Sequence, residues 1–166
     1  PHVSDPRSGE IIESDINWYH NVMKLLRNWY FVQASAVDPE ARGVEFRNEV
    51  MGELIRFVSS HEFGHTIGLP HNMGSSSAYP VDSLRSATFT KKYGTSPSIM
   101  DYARFNYVAQ PEDKGVALMP SDWETPNVGI YDRYSVMWGY KPILGVSEDE
   151  EKEILRSWSR EKEDDL

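Results

Sequence analysis

The sequence predicts an α+β domain, mostly helical in the part present, with little of an N-terminal sheet. Three observations carry that expectation. Apolar residues recur at helical spacing in several stretches, whereas only 9–16 reads as a strand. Glycines and prolines fall between these stretches and punctuate them. A chain of 166 residues, 39% hydrophobic and 12% aromatic, is long and apolar enough to bury a core as one domain.

The elements follow in order. A polar opening with an Asp5-Pro6 turn leads into the strand over 9–16, and Ser14 or Asp15 is placed to cap the next helix. That helix carries Tyr19, Val22, Met23, Leu26, Trp29 and Tyr30 at helical spacing and is broken by Asp38-Pro39 and Gly43. A second helix is expected over 48–67. Its stripe runs Met51, Leu54, Ile55, Val58, then His61 and His65, passing from aliphatic to imidazole. Gly68 suits the left-handed residue that closes a helix, and Pro70 prevents continuation. A helix over 83–93 stopped by Gly94, a loop carrying 98–102, and a helix over 129–138 followed by Gly139 come next. Ser147 and Glu150 form a capping-box pattern that opens a last helix, with Ile154, Leu155 and Trp158 as its apolar face. Trp18, Trp29 and Trp138 are expected in the core. The chain reads as one domain over 1–166, a trimmed piece lacking N-terminal strands, with an acidic C-terminal helix over 147–166.

Charge and composition exclude several functions. The net charge of −9 argues against nucleic acid or an anionic membrane as partner. Residues 147–166 hold nine acidic and four basic side chains, so this stretch supplies −5 of the −9 as a solvated helix face. No apolar run approaches the roughly 20 residues of a transmembrane helix, and residues 1–10 contain no signal peptide. There is no cysteine, which rules out disulfides and thiolate metal sites and leaves imidazole and carboxylate as possible ligands.

Residues 61–72 read His-Glu-Phe-Gly-His-Thr-Ile-Gly-Leu-Pro-His-Asn. Helix residues four apart share a face, so His61 and His65 can grip one zinc ion. Glu62 lies on the flank of that face, suited to hold a water and not the metal. A third ligand from the same helix needs a turn. Gly68 supplies it at little steric cost and sends His71 back toward the ion. Three neutral histidines leave a fourth position for water, the arrangement of a catalytic zinc site. His2 and His20 lie outside the pattern and read as surface histidines.

The pattern from His61 to His71 resembles that of the metzincin clan of zinc peptidases, which includes astacins, adamalysins, serralysins and matrix metalloproteases. The clan also has a methionine turn below the metal, and Ser98-Ile99-Met100-Asp101-Tyr102 is similar to its astacin form, with aspartate where histidine is usual. The resemblance implies that Met100 underlies the imidazoles and that Tyr102 stabilises an oxyanion near the zinc. Further stretches, 5–10, 104–113 and 131–142, resemble large, secreted bacterial zinc-dependent metalloproteases, which implies a secreted or periplasmic location. After the third histidine astacins carry glutamate and adamalysins aspartate, whereas Asn72 stands here, so neither subfamily fits. The clan's edge strand that pairs with substrate has only 9–16 as a candidate.

The implied activity is peptide hydrolysis by a zinc-activated water with Glu62 as general base, as an endopeptidase acting on proteins or peptides. Two rivals stand beside it. One is a catalytically silent, zinc-containing peptide-binding or scaffold module; the intact Glu62 counts against it. The other is a structural zinc site, which normally needs a fourth protein ligand. Arg104 reads as a structural ion pair before it reads as a residue lining the pocket beyond the scissile bond.

Overall fold

The computed structural model describes residues 2–120 and 129–163, and the chain divides into two compact units, Pro1–Ile130 and Tyr131–Leu166. The described residues contain six α-helices, two 3-10 turns and one two-stranded sheet, so the chain is α+β with little sheet, as predicted.

In the first unit, β1 (His2–Ser4) pairs antiparallel with β2 (Ile11–Ser14), aligning His2 with Ser14 and Val3 with Glu13. Asp5 closes the hairpin, its N–H donating to Glu10 O at 2.8 Å, and Arg7 folds back onto its carboxylate at 2.7 Å. The strand expected over 9–16 is therefore the shorter β2. Its partner is three residues long, too short to show alternation in a sequence.

Helix α1 (His20–Ala34) starts later than the sequence suggests. Ser14 lies in β2, and the helix opens at Tyr19 without a side-chain cap. Leu26, Tyr30 and Ala34 form its buried face. The Tyr30 hydroxyl donates to Asp38 Oδ2 at 2.8 Å, and burial, with that carboxylate beside it, raises the phenol's pKa. Asp38 Oδ1 meanwhile accepts from the Glu40 N–H and caps a 3-10 turn, Pro39–Arg42.

Helix α2 (Asn48–Thr66) ends within a residue of its expected limit. Its buried face is Leu54, Phe57, His61 and Gly64; Met51 and Val58 of the expected stripe pack beside the core, and Phe57 joins them where the stripe had Ile55. Leu54 packs with Leu26, Tyr30, Ala34, Ala41 and Phe105 in the core. Full burial of one such leucine contributes about 1.5–3 kcal/mol.

The helix expected over 83–93 is two helices, α3 (Val81–Leu84) and α4 (Ala87–Tyr93). Ser86 breaks the run because its Oγ accepts from the Phe89 N–H at 3.3 Å and so starts a new helix. Gly94, at φ 72°, ends α4 as expected. Beyond the methionine turn, Arg85 grips both Asp113 oxygens at 2.7 and 3.0 Å, which holds that carboxyl below its usual range. The Asn106 amide donates to the carbonyls of Leu84 and Ala117.

The second unit is a helical pair. Helix α5 (Ile130–Tyr140) runs through Gly139, which does not stop it. The left-handed glycine is instead Gly129, just before the helix. Helix α6 (Glu148–Glu163) opens on the expected capping box: Ser147 N–H donates to Glu150 Oε2 at 2.8 Å, and Glu150 N–H to Ser147 Oγ at 3.4 Å. Acidic residues in its first turn and basic ones in its last complement the helix dipole. The Tyr134 hydroxyl reaches Ser159 Oγ at 3.1 Å. Residues 164–166 of the acidic segment lie outside the described residues. Of the tryptophans expected inside, Trp29 packs against the core, whereas Trp18 and Trp138 are exposed.

Two glycines of α2 differ sharply in surroundings. A Cβ on Gly64 would overlap the Met100 sulfur and stand 3.2 Å from its methyl, whereas one on Gly52 would meet nothing within 4 Å. Met100 is itself 1% exposed and has nowhere to move. Gly64→Ala is therefore expected to cost about 1–3 kcal/mol, and Gly52→Ala to add about 0.5–1 kcal/mol. Denaturant unfolding of the two variants beside wild type checks the opposite signs.

Candidate metal centre

The last two turns of α2 and the loop after it converge on one point. One ring nitrogen from each of His61, His65 and His71 lies within 4.8 Å of the other two. No other group of three potential ligands gathers in this way among the described residues, and no fourth ligand joins this one.

Backbone carbonyls fix the rings. His61 Nδ1 sits 2.7 Å from Ile99 O, and His65 Nδ1 sits 2.8 Å from Leu69 O. A carbonyl oxygen only accepts, so each Nδ1 carries the proton and each Nε2 presents a lone pair inward. The Nε2 atoms of His65 and His71 are 3.1 Å apart. Two ligands about 2.0–2.1 Å from a tetrahedral zinc stand about 3.3 Å apart, so the donor set fits the ion. Burial is the first cause that holds His61 below its ordinary pKa of 6.5, which favours the neutral, ligating form.

The turn that returns His71 follows from helix-ending chemistry. Gly68 stands at φ 88°. Its N–H donates to His65 O at 3.0 Å, and Leu69 N–H donates to Gly64 O at 3.0 Å. These two bonds are the Schellman pattern, with Gly68 in the position that tolerates a left-handed backbone. The same turn aims the Leu69 carbonyl at His65, so helix closure and ligand orientation share one device.

The methionine turn sits against this arrangement. Met100 is buried against Gly64, and its carbonyl accepts from the Asn72 N–H at 2.9 Å. Asp101, noticed in the sequence only as a departure, is buried. Its Oδ2 accepts from the Ser75 hydroxyl at 3.0 Å and the Ser76 N–H at 2.6 Å. Ser75 Oγ is also 3.0 Å from Ser96 Oγ, and Ser98 Oγ accepts from the Met100 N–H at 3.1 Å. This polar cluster ties the segment after His71 to the methionine turn. The serine-rich runs 75–77 and 96–98 were its signal, but spacing does not reveal which hydroxyl meets which carboxylate.

Tyr102 is half exposed, and its hydroxyl lies 3.1 Å from His71 Nε2. Glu62 lines two cavities. One, of about 300 Å³, is walled by Leu25 and Trp29 of α1, Phe57 and Val58 of α2, and Phe105, with His61 and Tyr102 also on its surface. The other, of about 520 Å³, lies between the β1–β2 hairpin and the end of α2, bordered by Ile11, His65 and Leu69. His2 also borders the wider cavity, and His20 opens α1; both are exposed and neither belongs to the triad. Arg104 stacks its guanidinium 3.5 Å above the Trp29 ring, and no ion pair among the described residues includes it. The ion pair expected from the sequence is thus replaced by a cation–π contact.

The Met-zincin family model matches residues 43–166, and the chain belongs to that family, within the metzincin clan of zinc metallopeptidases. No curated protein and no solved structure matches the chain.

Two expectations follow from the site. Asp101→Ala would strand the buried Ser75 hydroxyl and remove the acceptor of the part-buried Ser76 N–H, which costs about 1–3 kcal/mol in unfolding free energy and loosens the His71 segment. Calorimetric unfolding and zinc titration of that variant check both effects. His61, whose pKa is lowered on folding, takes up a proton more readily unfolded than folded. Stability present above about pH 6.5 is therefore lost as pH falls through the folded value. Metal-free protein is expected to unfold at lower urea at about pH 5.5 than at about pH 7.5, and His61→Asn to narrow the gap.

Proposed function

We propose that this chain is a zinc endopeptidase in which His61, His65 and His71 hold the ion, Glu62 is the general base and Tyr102 stabilises the oxyanion. The convergence of three imidazoles beside Glu62, two of them with their Nε2 lone pairs turned inward, and no fourth ligand among the described residues, carries the reading. A closed structural site would need that fourth ligand.

Zinc, when bound, supplies Lewis acidity that polarises a scissile carbonyl and lowers the pKa of a water toward about 7. The Glu62 carboxylate accepts the proton of the attacking water and delivers it to the departing amine nitrogen. The Tyr102 hydroxyl donates a hydrogen bond to the oxygen that gains charge, and removing one such donor costs about 2.7–4 kcal/mol of barrier. Glu62 borders both cavities, which supports a peptide crossing from the hairpin side to the apolar pocket. Among the described residues no strand pairs with the outer edge of β2, which suits main-chain pairing with such a peptide. Resemblance to secreted bacterial enzymes supports work outside the cytoplasm.

Zinc content by mass spectrometry and hydrolysis of an unfolded protein test this together. Wild type is expected to hold about one zinc per chain, and His71→Ala to lose most of it. Glu62→Gln should retain zinc while turnover falls by about 10²–10⁴. Undiminished turnover in that variant removes Glu62 from its role. Zinc without cleavage in wild type would favour the silent binding module.

A further inference from the structure

We propose that Arg104 sets the charge preference of the apolar pocket beside the metal centre, so that the substrate side chain entering it carries a carboxylate. The inference rests on the peptidase reading for the word substrate, but not for the recognition itself.

The pocket's walls are aliphatic and aromatic, and its volume of about 300 Å³ suits a single long side chain. Three charged residues line it: Glu62, Asp101 and Arg104. The Asp101 carboxylate already accepts bonds from Ser75 and Ser76. Glu62 adjoins the first metal ligand. Arg104 is the cation, and nothing anionic among the described residues is paired with it.

Its backbone reinforces the point. Arg104 has φ 55° and is the sole non-glycine residue at positive φ among the described residues. Such a conformation is unfavourable for a long side chain and persists only where the surroundings impose it. Here it holds the guanidinium over the Trp29 ring of α1, 3.5 Å from the ring centre. Stacking uses the face of the guanidinium and leaves its edge of N–H donors in plane. That edge is the part that binds a carboxylate in a bidentate pair. Apolar walls around it strengthen the pairing relative to open water. An aliphatic stem ending in a carboxylate, as in glutamate, matches both the walls and the cation. Arg104 lies within the residues matched by the family model and Trp29 outside them.

The test uses the zinc-loaded full chain and peptidyl hydroxamates, whose zinc-binding group fixes their place without requiring turnover. Two series carry glutamate, glutamine or lysine on one or the other side of that group. Glutamate is expected to bind about tenfold more tightly than glutamine in one series, with the advantage shrinking in high salt. Arg104→Asn, whose new residue tolerates the left-handed backbone, should abolish the advantage, and Arg104→Glu should shift it to lysine. Equal affinity of wild type for glutamate and glutamine in both series overturns the proposal. That wild-type comparison stands even if a variant fails to fold. A peptide-library digest by the same protein separates the two readings. Cleavage with no acidic preference at either flanking position sinks the role of Arg104 and keeps the peptidase. Glutamate-selective binding with no cleavage does the reverse. A chain that takes up no zinc overturns both.

Discussion

The seating of Met100 against Gly64 is the contact on which the rest of the first unit depends. It joins the middle of α2's last turns to a loop about forty residues away without an intervening side chain on the helix. Because α2 presents bare backbone there, the methionine turn comes close enough for Ile99 O to orient His61 and for Met100 O to hold Asn72. Any side chain at 64 would push the loop off, and with it the carbonyl that orients His61 and the bond that holds Asn72 beside His71.

Around that contact the polar groups form a closed circuit. The α2 end turns on Gly68, and the Leu69 carbonyl orients His65. The chain then passes through His71 to Asn72, which returns to Met100. Asp101 draws in Ser75 and Ser76, and Ser96 and Ser98 complete the other side. Buried polar groups are costly when unpaired and rigidifying when satisfied. The circuit therefore accounts for how a loop segment can hold a ligand as firmly as a helix does.

Legibility from sequence followed the range of the interaction. Helix α2, its glycine ending and the three histidines were readable because they depend on spacing within a dozen residues. The capping box at Ser147 was readable for the same reason. The β1 strand, the late start of α1 and the break at Ser86 were missed, each because a short local hydrogen bond or a three-residue pairing outweighed the apolar pattern. Asp101 and Arg104 were misjudged or only noticed, since their partners are 25 to 75 residues away and one of those partners, Trp29, is an aromatic face and not a charge. The outward positions of Trp18 and Trp138 show how little the residue type alone decides burial.

The carbonyl partners of His61 and His65 belong to backbone that is itself hydrogen-bonded or packed, so the chain's own backbone aims these imidazoles. Many small zinc modules gain their shape from the metal and collapse when it is stripped. Here the helix, its glycine turn and the buried methionine are held by apolar packing and backbone hydrogen bonds within the chain. The vulnerability of the centre therefore lies in its backbone: a change that shifts the Leu69 or Ile99 carbonyl misdirects an imidazole without touching a histidine.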